Sequence, residues 1–279
     1  MPGRQPNTYD AEAYWAKRYS SIDITRSGYF DLPLRYNLWL YRKKKERLLQ
    51  GLRNAGFHAQ GASVLEVGAG TGVYVELWKS LGIRHLVGID ISTAATQALQ
   101  ARFPEYAFHK RDLAQPTLCD LVGREFDLVT AVDILYHVVD DAGFPIALAN
   151  LADTLKPGGL LAIHDGFVHA RELDFGYIKL RTLETYRAAL VAAGFDIVSR
   201  APTFFAMVKG YDFKSAWAAT LSNRIWHRLT CPLIQRFPDV MGRLGYGIDR
   251  LLGSVLSEGP SLEMMVCRKK IKLTAIMPG

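Results

Sequence analysis

Cysteine is scarce in this chain. Cys119, Cys231 and Cys267 are the three in 279 residues, and they lie far apart. No CxxC pair and no Cys/His cluster occurs, which excludes a zinc ribbon and a disulfide framework. No uninterrupted run of about 18 apolar residues is present, so no membrane span is expected. The opening MPGRQPNTYDAEAYW lacks a basic stretch followed by an apolar one, so no secretory signal is expected either. A cytoplasmic location is the resulting expectation. Internal repeats and low-complexity linkers are missing. Acids are in the minority, 27 against 34 Lys and Arg, for a net charge of +7. Such a balance suits an anionic partner (a phosphorylated substrate, nucleic acid or a membrane surface) and equally an ordinary basic protein. With 49% hydrophobic and 22% charged residues the chain is not disordered, and it can build one sizeable core with room for an insertion.

What is present is an alternation. Residues 9–56 have helical spacing and many aromatics. From Ser63 onward short apolar runs alternate with helical patterns. SVLEVGAG, HLVGIDIS, YAFHKRDL, FDLVTAVDIL and GLLAIHDG read as strands, and VYVELWKSLG, TAATQALQARF and FPIALANLADTLKPGG as helices. This order predicts an α/β fold with a mostly parallel sheet covered on both faces. A helix (TLETYRAALVAAG) and a strand (FDIVSRAP) follow, and SLEMMVCRKK reads as the last strand. Between these two strands, Phe213 to Glu258 leaves the alternation and reads as two or three amphipathic helices. The expected division is a helical lid over 1–60, a core over 61–212, a helical cap over 213–258, and the last strand with a tail over 259–279.

In VLEVGAGTG, glycines at 68, 70 and 72 sit between a strand and a helix. Glycine permits a tight turn there, or close approach of a ligand to the backbone. The loop has no Gly-Lys-Ser/Thr and is no triphosphate cradle, and Val73 holds the position of the third glycine of a dinucleotide fingerprint. Asp90 ends the second strand, where an acid can accept hydrogen bonds from ribose hydroxyls. Asp112 ends the third. With Glu66 they place three acids at successive strand ends.

At these residues the sequence resembles the class I S-adenosylmethionine-dependent methyltransferases of the small-molecule type. VLEVGAGTG is similar to their first motif, VGIDIS to the second and RDL to the third, and the likeness continues through FDLVTAVDILYHV and LKPGGLLAIHDG, from Ser63 to about Pro202. The resemblance implies a Rossmann-like seven-stranded sheet whose last strand is antiparallel and inserted between the fifth and sixth. It also implies S-adenosyl-L-methionine as cofactor. Glu66 would face the methionine amino group, Gly68 and Gly70 would admit the cofactor, and Asp90 would hold the ribose. Ile91 would pack on the adenine, Asp112 and Leu113 would meet its amine edge, and Ala131 to Asp133 would line the methionine end.

Methyl transfer requires collinear positioning and, for a hydroxyl acceptor, a base. His137 in DILYHVVD is the first candidate. His164 and Asp165 in AIHDG form the second, with His164 orienting Asp165, and His169 is a third. His58, His85, His109 and His227 read as surface or structural residues. No Asn/Asp-Pro-Pro-Tyr/Phe follows the fourth strand, which disfavours methylation of DNA bases or glutamine amides. No metal-binding set is evident, so no metal is expected. In the lid, Arg18 is placed to meet the cofactor carboxylate and Tyr19 to cover the site, with a plain packing helix as the alternative. Arg42 to Lys45 with Arg47 read as a solvated helix face, or as attraction for an anion. Tyr177, Arg181 and Trp217 are candidate acceptor contacts. The leading expectation is O-methylation of a small-molecule, isoprenoid or glycan acceptor, apolar or lipid-linked, by a monomer or homodimer. C- or N-methylation, RNA methylation and a non-catalytic cofactor-binding scaffold are alternatives. The cap reading of 213–258 stands beside dimer contact and peripheral membrane contact.

Overall fold

The computed structural model describes residues 9–19, 28–115, 118–123, 125–213 and 215–271. The tail expected after the last strand lies largely outside them. Helix α1 (Ala11–Arg18), capped by the Asp10 carboxylate on the Ala13 N–H, precedes the long helix α2 (Leu34–Asn54). The core then runs β1 (Ser63–Val67), α3 (Val73–Ser80), β2 (His85–Asp90), α4 (Thr93–Arg102), β3 (Ala107–Lys110), α5 (Leu118–Val122) and β4 (Phe126–Val132). A single 3-10 turn (Leu135–His137) leads to α6 (Gly143–Asp153) and β5 (Leu155–Asp165). A small hairpin of β6 (Leu173–Asp174) and β7 (Lys179–Leu180) precedes α7 (Leu183–Ala192) and β8 (Phe195–Pro202). Then come α8 (Ala216–Ile225), a π-helical turn, α9 (Cys231–Arg236), α10 (Pro238–Val255) and the final strand β9 (Glu263–Lys269).

The sheet has seven strands in the order β3-β2-β1-β4-β5-β9-β8. β1 to β5 pair in parallel, and β9 runs antiparallel to both β5 and β8. This is the Rossmann-like methyltransferase sheet that the motifs implied, with the last strand inserted where expected. All five residues of β1 are buried, because a central parallel strand is covered on both faces. One discrepancy concerns LKPGG. The helix before it ends at Asp153, and Leu155 already pairs with Phe126 while Leu160 pairs with Leu128. The Lys-Pro-Gly-Gly stretch is therefore a bulge within β5, with Gly158 at φ +77°.

Apolar clusters lie on both faces of the sheet, and a third lies beside them. The third joins Tyr36 and Leu40 of α2 to Phe204, Met207 and Ile234. Leu48 and Leu52 of α2 belong to the cluster on the sheet itself. Within the stretch expected as a lid, α2 covers a sheet face and carries α10 on its back.

Candidate active site

The C-terminal ends of β1 to β4 open into a cleft of about 650 Å3. The glycine loop forms its floor. Gly68, Gly70 and Gly72 all have left-handed φ (+68°, +51° and +82°), which explains glycine at every second position. A Cβ on Gly68 would fall 1.9 Å from Ile134 Cδ1, so this glycine keeps the cleft floor low. Gly72 instead begins α3 and backs onto Leu99, away from the cleft.

Asp90 lies at the rim of the loop. Its carboxylate accepts from the Gly70 N–H at 2.9 Å and from the Ser92 N–H at 2.8 Å. Burial pushes the Asp90 carboxyl up to about 6, despite these bonds. Asp112 accepts from the Ala114 N–H at 2.9 Å. Ile91, Leu113, Ile134 and Tyr19 supply apolar wall, and Lys110 at the mouth pairs with Glu12 of α1. Glu66, by contrast, does not line the cleft. Its carboxyl is buried beneath the loop and accepts from Trp78 Nε1 at 2.7 Å and from the Thr130 hydroxyl, and burial raises it to about 8.

His137 stands at the cleft's aromatic end. Its Nδ1 is 2.9 Å from the Tyr177 carbonyl, which can only accept, so Nδ1 carries the proton. Trp15 meets the imidazole edge-on at 5.0 Å, and Tyr14 stacks on Tyr177 at 5.5 Å. These contacts dock α1 over the cleft. Burial pushes the imidazole down to about 4, so His137 is neutral at physiological pH and a weak base.

A second polar group lies behind Ile134, and, contrary to the expectation for Asp133, it does not line the cleft. Asp133 has a left-handed φ of +61°, the only non-glycine with positive φ among the described residues. Its carboxylate sits between Lys44 of α2 and His164, whose Nδ1 is 2.5 Å from Oδ1. Burial would raise this carboxyl, but the Lys44 ammonium and His164 outweigh it and hold it well below the usual range. His164 is fully buried, and its Nε2 has no partner among the described residues.

His164 and Asp165 do not act as a unit. Neighbouring strand residues project to opposite faces. Asp165 accepts from the Tyr186 hydroxyl and from the Gly166 N–H, both at 2.6 Å, on the side away from His164. Three other expected contacts are placed elsewhere. Arg18 donates to the Gly28 carbonyl at 2.7 Å and to Tyr14 within its own segment, and it does not line the cleft. Arg181 is buried, donates to the Val138 and Asp140 carbonyls and lies over the Phe144 ring, so it braces the loop after β4. Trp217 is 74% exposed on α8. His169, on the loop after β5, pairs with Asp212 and Glu258.

Lys44 is the residue that sequence reasoning missed. The run Arg42 to Lys45 resembled a solvated face, yet Lys43, Lys44 and Arg47 are all buried. A signal existed. Tyr36, Leu40, Lys44, Leu48 and Leu52 recur every fourth residue, so Lys44 sits in the middle of an apolar stripe.

Comparison with known proteins agrees with this architecture. A methyltransferase-domain family model matches residues 39–200. The chain belongs to this family, the class I S-adenosylmethionine-dependent methyltransferases. The chain is 36% identical over 129 residues to a tRNA U34 carboxymethyltransferase of Dichelobacter nodosus, covering 45% of this chain and 38% of that one. It is 34% identical over 105 residues to a ubiquinone biosynthesis O-methyltransferase of Paracidovorax citrulli, covering 36% and 42%. The chain thus spans about two fifths of the length of the curated relatives it matches. Among solved structures, the Burkholderia thailandensis 1,6-didemethyltoxoflavin-N1-methyltransferase superimposes with a TM-score of 0.55 at 15% identity, over 97% of this chain and 93% of that one. At that identity the likeness speaks for the fold. No helix among the described residues is long and apolar enough to cross a membrane.

Proposed function

We propose that this protein transfers a methyl group from S-adenosylmethionine to a hydroxyl of a small, partly apolar acceptor. The cleft residues fit the cofactor. Ile91 and Leu113 offer apolar faces to a flat base, Asp112 an acceptor for its amine, and Asp90 acceptors for a diol. Gly68 lets the Ile134 side chain, which lines the cleft, pack directly on the loop backbone, where a Cβ would collide with it. When bound, the cofactor would supply an electrophilic methyl group, with Gly68, Asp90, Ile91, Asp112 and Leu113 holding it.

The observation that carries the O-methylation reading is the buried Asp133–His164 pair. Asp133 accepts from His164 Nδ1–H, which fixes the tautomer and leaves the buried Nε2 lone pair to take the proton of an acceptor hydroxyl that enters behind Ile134. Lys44 keeps Asp133 ionised, so the resulting imidazolium faces a carboxylate. His137 is a positioning group that ties the Tyr177 turn and α1 to the cleft. In this reading α1 is the lid, and residues 213–258 cap the acceptor side.

His164→Gln tests the assignment. Loss of a general base lowers kcat by about 10²–10⁴, with adenosylhomocysteine binding by calorimetry unchanged. A variant that turns over within a factor of two of the parent removes His164 as the base. A second reading, an RNA acceptor, is favoured by the activity named for the Dichelobacter relative and by the net charge of +7. It predicts methyl incorporation into bulk tRNA that falls steeply with salt. The small-acceptor reading predicts none.

A further inference from the structure

Helix α10 turns its glycines toward the protein, with Met241 and Tyr246 packed at the contact, and a row of large apolar residues toward water. The inner face is Gly242, Gly245, Asp249 and Gly253. A Cβ on Gly242 would lie 2.2 Å from Trp39 Cδ1, and one on Gly245 2.9 Å from Met207 Cγ, so this face is already in close contact. The buried Asp249 carboxylate accepts from the Ala206 N–H at 2.7 Å, which fixes the helix's rotation. The outer face carries Val240, Leu244, Ile248, Leu251 and Val255, each between 48% and 73% exposed. At 3.6 residues per turn they form one stripe about 80° wide. The stripe cannot turn inward without unpairing Asp249 and driving side chains into Trp39. Helix α8 is similar: it buries no residue and exposes Trp217, Leu221 and Ile225 at every fourth position.

The charge on this region has one sign. Between 216 and 255 stand Arg224, Arg228, Arg236, Arg243 and Arg250, all exposed. The acids there are Asp239, paired with Arg35 at 2.5 Å, and the buried Asp249. Arg243 and Arg250 are seven residues apart and run along one flank of the apolar stripe.

We propose that this face docks on an anionic lipid bilayer, with α10 lying in the plane of the interface. The apolar stripe enters the boundary between headgroups and acyl chains, and the arginines meet lipid phosphates. A second copy of the chain is a poorer occupant. A two-fold contact would lay the same patch on itself and bring arginine rows together without acids to neutralise them. A bilayer offers apolar depth and negative charge at once. The inference rests on this surface and stands whichever acceptor is methylated.

Vesicle flotation tests it. The full chain is mixed with vesicles of phosphatidylcholine alone, or of equal parts phosphatidylcholine and phosphatidylglycerol. The parent floats with the anionic vesicles and stays behind with the neutral ones. Leu244→Ser with Leu251→Ser abolishes flotation while adenosylhomocysteine binding is retained, which shows that the fold persists. Arg243→Gln with Arg250→Gln weakens partitioning about thirtyfold, at about a fivefold step per basic residue. Three results overturn the proposal. The parent floats with neither vesicle, or both double variants float like the parent, or light scattering finds a dimer that Leu244→Ser dissociates while no vesicle is bound.

Discussion

Two helices that pack on each other, α2 and α10, make opposite use of the same kind of sequence. Both are amphipathic. Helix α2 hides Lys43, Lys44 and Arg47, whereas α10 exposes Val240, Leu244, Ile248, Leu251 and Val255. The glycine face of α10 permits the close approach that helps to bury Lys43 and Arg47, while Lys44 faces Asp133. Trp39 lies against Gly242, and the Arg47 guanidinium fills the space beside Gly253. The difference teaches that amphipathic spacing identifies two faces without saying which one is inside. That choice belongs to the neighbours: an aspartate that needs a cation draws Lys44 in, and a glycine face that fits closely turns the leucines out.

The largest effect is expected at the buried charges. Lys44→Ala leaves Asp133 without its ammonium and is expected to lower unfolding stability by about 3–5 kcal/mol. Lys44→Met combined with Asp133→Asn should recover most of that loss. Urea midpoints measure both, and a loss below about 1 kcal/mol for the single variant would show that α2 presents Lys44 to water. The next effect tests the inner face of α10. Gly242→Leu forces a side chain into Trp39 and is expected to cost about 1–3 kcal/mol by overpacking.

A pH effect follows from the buried acids. The Glu66 and Asp165 carboxyls are raised to about 8 in the folded chain, well above their unfolded values. The folded state then holds protons that the unfolded state has released, so stability falls as pH rises from the unfolded values through about 8. Asp133 acts in the opposite sense. Its depressed carboxyl contributes stability above the unfolded value, which is lost on acidification. Glu66→Gln should therefore flatten the alkaline decline in a denaturation series, and a curve parallel to the parent's would remove Glu66 from that role. The smallest effect is at the outer face of α10. Leu244→Ser is expected to change stability by less than about 0.5 kcal/mol, in contrast to Gly242→Leu two residues earlier.

Much of the cleft was legible in the chain. Gly68, Asp90, Ile91, Asp112 and Leu113 lie together because each ends or follows a parallel strand, and such ends are marked by local pattern. The buried polar group around Asp133 was less legible. Asp133 showed in its motif, but its partners did not. His164 comes from the next strand and Lys44 from a helix nearly ninety residues upstream. The adjacency of His164 and Asp165 in sequence even misled, since strand alternation sends them to opposite faces.

The sequence by itself determined the alternation of strands and helices, the glycine loop and the order of acids at the strand ends, because periodicity and turn chemistry are local. Only the tertiary structure decided that Arg18 meets the Gly28 carbonyl, that Arg181 braces the loop after β4, that Lys44 is buried against Asp133, and that α10 shows its leucines to the outside. Those outcomes depend on which distant surfaces meet, and on where a buried charge finds the partner that makes its burial tolerable.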